Sequence, residues 1–304
     1  MPKIETAIIQ VRQQHPSWGG VKIKAYLTRK GWQGLPAAST ITAILQRHEL
    51  IDPQESSKHR PLQRFERAVP NELWQMDFKG YFRIDQGNCH PLTVLDDHSR
   101  FLVGLQACPD QSWKTVQTHL SHAFRQYGLP ECMLMDNGSP WGDDRQTPYT
   151  ILTAWLMRLG IAVTHGRPYH PQTQGKDERL HRTFKAELLT QVQLHDLHDC
   201  QNHFDLWRDF YNQERPHQAL NHAVPAERYQ PSPRPFPETL PPILYAPEDV
   251  VRMVDMAGRI SFQGHAIKIS KAFRYQPVAI RPTVVDGVFD VFFCRFKVSE
   301  IDLR

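Results

Sequence analysis

The chain has 304 residues and a formal charge of +4, so it is long enough for two or three domains and only mildly basic; what counts is where that charge sits. No apolar run reaches the roughly 18 residues of a membrane-spanning helix, and Met1-Pro2-Lys3-Ile4-Glu5 lacks the basic-then-apolar plan of a secretion signal, which reads as a soluble cytoplasmic protein with no membrane partner. Five scattered cysteines without a CxxC pair argue against a disulfide framework or a cysteine-based zinc finger and suit a reducing compartment.

Residues 1–50 read as three short helices. Ile4, Ala7, Ile8 and Val11 share one helical face, Pro16 to Gly20 breaks the pattern, and Val21 to Arg29 resumes it as far as Gly31. Ser39 is a good cap for a third segment through Ile41, Ile44 and Leu45. Three helices with tight turns predict a helix-turn-helix DNA reader; a plain helical bundle has the same pattern. Residues 51–70 lose periodicity and gather Lys58, His59, Arg60, Arg64 and Arg67, a basic linker able to track phosphates or simply to stay solvated.

Strands follow. Trp74–Ile84, Leu92–Leu95 and Phe101–Leu105 predict an antiparallel meander, turning at Gln86-Gly87-Asn88 and at Asp96 to Arg100. Asp110 or Ser112 caps a helix that runs through Phe124 and stops at Gly128. Cys132–Met135 is a short apolar strand, Thr147-Pro148 opens a helix to Leu159, and Ile161–Thr164 is strand-like. This order predicts an α/β fold with a ribonuclease-H-like mixed sheet flanked by helices. After Pro225 a Pro-rich stretch reads as a stiff spacer, and five short strands from Val250 to Phe293 predict a small SH3-like β-barrel. The expected domains are therefore 1–50, the linker 51–70, a core over 71–228, a second linker 229–245 and the barrel 246–304.

Asp77 interrupts an apolar strand between Met76 and Phe78, and Asp136 ends another just before Asn137-Gly138. An uncompensated carboxylate inside a strand is unfavourable, so Asp77 is expected to meet a cation, while Asp136 is placed to project into a crevice at the carboxyl end of its strand, where the two acids can converge. Glu178 is the third acid: on a helix, Glu178, Arg182 and Lys185 fall within roughly 60° of arc, an acid followed by two cations on one stripe, while Asp177 points about 100° away. Taken alone, Glu178 with Arg182 is also the ordinary i,i+4 pair of a solvated helix. Hard divalent cations prefer oxygen ligands, and three acids of this kind suit cleavage of a phosphodiester. His195, His198, Cys200 and His203 point apart on a helix and do not form a zinc set, and Asp196 reads as a cap. Trp141 is either a base-stacking platform or packing for its own loop.

Trp74-Gln75-Met76-Asp77, Asp136-Asn137-Gly138 and Tyr169 through Arg179, followed by Tyr211-Asn212-Gln213-Glu214-Arg215-Pro216-His217-Gln218-Ala219-Leu220 and Pro225, resemble the signature of DDE insertion-sequence transposases with a retroviral-integrase-type core. The gap of 42 positions between Asp136 and Glu178 is longer than in the integrases proper, which places extra residues in the loop 139–146. The resemblance implies a metal-dependent polynucleotidyl transferase that cuts DNA 3′ ends and joins them to target DNA. Asp77, Asp136 and Glu178 would be catalytic and would hold two Mg²⁺ or Mn²⁺ ions, and Arg182 and Lys185 would hold DNA, with Lys176, Arg179 and Arg47 as further DNA contacts. It also implies a homodimer or larger assembly, association with the nucleoid when DNA is bound, and a further DNA-binding helical unit ahead of residue 1. A catalytically silent DNA-binding regulator and a simple nuclease are the competing readings.

Overall fold

The computed structural model describes residues 2–51, 66–138, 140–142, 148–166 and 175–304. In chain order the elements are α1 (Pro2–Gln14), α2 (Gly20–Arg29), α3 (Ala38–Arg47), β1 (Trp74–Phe78), β2 (Phe82–Ile84), β3 (Gly87–Asp96), β4 (Leu102–Cys108), α4 (Trp113–Tyr127), β5 (Cys132–Met135), α5 (Ile151–Arg158) and β6 (Ala162–His165). They continue with α6 (Gly175–Phe184), α7 (Leu197–Gln213), β7 (Val250–Met253), β8 (Arg259–Phe262), β9 (His265–Lys268), β10 (Pro277–Pro282), β11 (Val288–Phe293) and β12 (Phe296–Asp302). The α/β class expected from the sequence is present. The elements gather into two compact units, each built from separated stretches of chain: one from Met1–Pro70, Lys79–Pro109 and Pro171–Gln230, the other from Asn71–Phe78, Asp110–His170 and Pro231–Arg304.

In the first unit, α1 to α3 close around Ile8, Trp18, Ile23, Ile41 and Leu45, all fully buried, which follows from their spacing along each helix. Gly20 lets α2 and α3 approach closely: a Cβ there would lie 2.5 Å from the Ala38 carbonyl and 2.6 Å from Thr42 Oγ1. The third helix begins at Ala38 without a side-chain cap, so Ser39 sits in its first turn and is not the cap expected. The expected first strand is broken at Gly80 (φ 92), where the chain turns between β1 and β2. Strands β2, β3 and β4 pair antiparallel, with an irregularity between Val94 and Leu95. Helices α6 and α7 cover this ladder through Phe184, Phe204 and Trp207, which pack on Leu95, Leu102 and Leu105.

The segment from Tyr211 to Pro225 is a clamp in this unit. Asn212 accepts the Leu102 N–H at 2.8 Å and donates to the Leu102 carbonyl at 3.0 Å, so a helix side chain reads a strand residue as a neighbouring strand would. Arg215 forms a doubly bonded pair with Glu187 (Nε–Oε2 2.8 Å, Nη2–Oε1 2.9 Å), and Trp18 Nε1 donates to the same carboxylate at 2.9 Å. His15, Trp18 and Phe210 form a cluster of near-parallel rings, with centroids 4.1 Å (His15–Trp18), 4.9 Å (His15–Phe210) and 5.9 Å (Trp18–Phe210) apart. Buried charge and aromatic contact thus fasten the three small helices to α7.

The second unit holds a parallel ladder, β1–β5–β6, with α4 and α5. Ser112 caps α4 by accepting from Thr115 N, and Gly128 (φ 76) ends it as expected. Helix α5 begins later than expected: Thr150 and Thr153 form a reciprocal capping box, and Thr147 lies outside the described residues. The Pro-rich stretch packs as a strap on this unit and does not act as a free spacer. Arg234 donates to the carbonyls of Pro130 (2.6 Å), Leu159 (3.1 Å) and Gly160 (3.1 Å), satisfying carbonyls exposed near the ends of β5 and α5.

The carboxyl-terminal strands form a four-stranded antiparallel sheet, β12-β11-β10-β7, and a hairpin, β8–β9. Gln263 and Gly264 both have positive φ in that hairpin, the backbone of a two-residue type I′ turn. The two sheets share a core with Ala154 and Met157 of α5. Six strands are present where five were expected, and their hydrogen-bonded ladder does not close among the described residues.

Candidate active site

Asp77 and Asp136 belong to the second unit, on adjacent parallel strands. Trp74 pairs with Met133 and Gln75 with Leu134, so each acid stands three residues beyond the Trp74–Met133 pair. In a parallel ladder residues at equal offset lie side by side, strands are spaced about 4.8 Å, and side chains at one offset point to one face. The register therefore sets the two carboxylates next to one another at the carboxyl ends of β1 and β5. Asp77 is half-buried and Asp136 exposed.

The backbone around this pair is held firmly. Asp136 Oδ1 accepts the Asn137 N–H at 2.7 Å, and Asn137 Nδ2 donates to the Gly166 carbonyl at 2.8 Å. The two ring nitrogens of His165 reach the carbonyls of Asp136 and Pro148, each at 2.9 Å, tying together the residues that bracket the intervening loop. Trp141 is 3% exposed and stacks on Phe78 at 5.5 Å, so it packs its own loop beside Asp77 and is not a free platform for a base. Residues 143–147 of that loop, and Tyr169 to Gln174 of the signature, lie outside the described residues.

Glu178 belongs to the first unit, on α6. Its helix turns Asp177 (2% exposed), Leu180, His181 and Phe184 inward and leaves Glu178, Arg179, Arg182 and Lys185 exposed. The two neighbouring acids are thus in opposite environments, as the phase of about 100° per residue requires. Among the described residues no ion pair joins Glu178 and Arg182, which stand exposed one turn apart. Beyond Phe184 the helix widens into a π turn, Lys185–Leu189, which carries Leu188 into the core and Glu187 to Arg215. His181 faces inward: its Nε2 meets Thr93 Oγ1 at 2.9 Å, and burial, with Lys79 adding to the effect, draws the imidazole down to about 4.

Three expected DNA contacts are placed differently from the stripe. The Lys176 ammonium is held by the Asp97 carboxylate and carbonyl, with only 15% of its side chain exposed, so it supports the fold and is not available to a phosphate. Asp97, read from the sequence as a turn residue, is fully buried and also accepts the Arg67 N–H at 2.8 Å. Arg47 is exposed at the end of α3 but pairs with Glu5, which His48 and Arg47 together hold below the usual carboxylate range. Arg179 is exposed, and its charge acts on Lys22 of α2.

Sequence-family comparison decides the kinship. The integrase core domain matches residues 67–171, a second integrase core family matches 159–225, and the IS481 family transposase C-terminal domain matches 249–304. The two integrase core matches together span residues 67–225, so the chain belongs to the integrase core family. An uncharacterized 31.7 kDa protein of insertion element IS407 from Burkholderia multivorans is 27% identical over 160 residues, covering 53% of this chain and 56% of the relative. The Gag-Pro-Pol polyprotein of simian retrovirus SRV-2 is 36% identical over 121 residues, 40% of this chain and 6% of the polyprotein. The chain thus spans about half the length of the first relative and a small part of the second. Among solved structures, a simian T-cell lymphotropic virus intasome aligns with TM-score 0.46 and 16% identity over 97% of this chain and 96% of that one. The catalytic core of BIV integrase aligns with TM-score 0.39 and 22% identity over 52% of this integrase-core chain and 92% of its own.

The donor set fits a hard divalent cation. Two carboxylates side by side repel one another, and a cation between them removes that repulsion while offering the oxygen ligands that magnesium or manganese prefers. Among the described residues no group of three or more His, Cys, Asp or Glu side chains is assembled to hold a metal, so the acid pair stands as two ligands.

Proposed function

We propose that the chain is a DNA transposase: a polynucleotidyl transferase that cuts at the 3′ ends of an element and joins them to target DNA. The observation that carries this is the parallel register Trp74↔Met133 and Gln75↔Leu134, which carried two residues further sets Asp77 beside Asp136, in a chain of integrase-core kinship. Asp77 and Asp136 would hold a divalent ion, with Glu178 as the third acid of the set. A solved relative, the HTLV-2 integrase core, is described in complex with magnesium, which supports that choice of ion. When bound, the metal makes a water or a 3′-hydroxyl nucleophilic and neutralises the departing oxygen.

The chain's own residues position and orient. Arg182 and Lys185, exposed and outside any ion pair among the described residues, grip successive phosphates so that the scissile bond is in line with the nucleophile. The exposed face of α3, Ser39, Thr40, Ala43 and Gln46, enters a groove of DNA. Joining two ends together calls for at least two copies of the chain, so the working form is a dimer or larger.

The test is incubation of the purified chain with Mg²⁺ and DNA carrying candidate element ends. Wild type should give nicked and strand-transfer products, and Asp77→Asn, Asp136→Asn and Glu178→Gln should each lose them while still binding DNA. Products from Glu178→Gln at the wild-type rate would remove Glu178 from the site. Sequence-specific binding without cleavage by wild type would favour the silent regulator.

A further inference from the structure

The first unit contains a groove of about 650 Å³ that neither the acid pair nor the Arg182–Lys185 stripe accounts for. One wall is β2 with its flanking residues, Lys79 to Asp85, and the other is the stretch from the π turn to Leu194. Phe82, Ile84, Leu189 and Val192 make the floor apolar. Among the described lining residues Lys79, Arg83 and Lys185 stand against one carboxylate, Asp85, with Arg83 and Lys185 exposed. That carboxylate is engaged: it meets His195 Nδ1 at 3.1 Å, and the Asp85 N–H donates to the His195 carbonyl at 2.9 Å, which closes one end of the groove. Tyr81 is 66% exposed, and its ring leans on His90 with centroids 5.6 Å apart, so it is braced on one side and open on the other.

We propose that this groove binds an unpaired strand of DNA, as a continuation of the phosphate track that begins at Arg182 and Lys185; the inference rests on the transposase reading above. A cationic rim over an apolar floor with a free aromatic ring matches a strand whose bases are exposed. Phosphates lie along Lys79, Arg83 and Lys185, and bases stack on Tyr81 and against Phe82. Duplex DNA hides its base faces in the stack and offers such a floor nothing to bury. The groove fits one or two nucleotides, since sites of roughly 300–1,000 Å³ enclose ligands of that size. Lys185 is the shared member: at the start of the π turn it continues the exposed stripe from Arg182, and in the groove it hands the same strand to Arg83. A strand end released by cleavage is the substrate this arrangement would keep from straying.

Fluorescence anisotropy of the full chain, without metal, on a labelled single-stranded oligonucleotide and on the matching duplex tests this. Arg83→Glu should weaken single-strand binding at least tenfold and flatten its salt dependence by about one phosphate contact. Tyr81→Ala should weaken single-strand binding about fivefold or more while leaving duplex binding within twofold. Both side chains are exposed, so circular dichroism should show wild-type helix content for each variant. Wild-type affinity for the single strand in both variants would overturn the groove while leaving the transposase reading standing, provided that wild type binds and cuts DNA. Equal losses on strand and duplex would overturn the preference for an unpaired strand. Failure of wild type to bind either DNA would overturn both readings.

Discussion

Glu187 offers the sharpest test of how the amino-terminal helices are fastened to the core. Its carboxylate is 5% exposed and receives bonds from Arg215 Nε at 2.8 and 3.1 Å, from Arg215 Nη2 at 2.9 Å and from Trp18 Nε1 at 2.9 Å. Burial alone would push this carboxyl up, but the charge and bonds of Arg215, with Lys22 and Trp18, hold it below the usual range. Glu187→Gln removes the only negative partner in that list and leaves the Arg215 guanidinium, itself 8% exposed, buried without a counter-charge. Breaking a buried pair from one side destabilises by about 3–5 kcal/mol, far more than the ~1 kcal/mol upper range of an exposed pair. Urea unfolding followed by tryptophan fluorescence should show that loss, together with faster proteolysis between α3 and β1. A double change, Glu187→Gln with Arg215→Met, should recover at least half of it, because no buried charge is then left alone. A loss below about 1 kcal/mol in the single variant would refute the fastening role, since a bridge worth so little behaves as a surface pair.

Lys22 makes the same contact sensitive to pH: burial, with Arg215 adding to it, draws its ammonium down to about 7 from the ordinary 10.5. The folded chain then sheds the proton before the unfolded chain does, so stability rises as pH climbs from about 7 toward 10.5, and below 7 the full penalty is present. Urea midpoints at pH 7 and pH 10 should show the rise in wild type and a smaller one in Lys22→Met; parallel curves would rule it out. Gly20→Ala should cost roughly 1–3 kcal/mol, because its Cβ would meet the Ala38 carbonyl at 2.5 Å, and a wild-type thermal midpoint would disprove the close approach. His165→Ala frees the carbonyls of Asp136 and Pro148, so strand-cleavage kcat should fall about 10- to 100-fold with DNA affinity unchanged; an unchanged kcat would show that those two bonds do not position the acid.

Legibility in the sequence followed the range of each interaction. Helix phase and strand alternation act over a few residues, so the boundaries of β5 and β8, the stop at Gly128 and the Asp196 cap of α7 could be read locally, as could the opposite fates of Asp177 and Glu178. The sixth strand of the carboxyl-terminal unit escaped notice because the turn before it, Cys294-Arg295, carries neither Gly nor Asn, although Cys294 adopts φ 51. The fate of Lys176 was illegible for a different reason. Its partner Asp97 lies 79 positions away, and a lysine beside exposed cations looks like one of them until the chain has folded. Glu187 and Trp18 are 169 positions apart, so nothing in the local pattern separates a buried anchor from a surface acid.

The two kinds of element carrying the acids explain why they differ in how well they could be anticipated. A parallel strand pair offers one geometry: once Trp74 meets Met133 and Gln75 meets Leu134, continuing that register sets Asp77 abreast of Asp136. The pairing of these two acids is therefore enforced by the whole core of the second unit, with Met76, Met133 and Met135 all buried. Glu178 has no such enforcement from a neighbouring strand. What sets its direction is the inward face of α6, where Leu180 and Phe184 are anchored in the hydrophobic core of the first unit. A helix held by one face turns its other stripe outward, and that is where the exposed Glu178 stands.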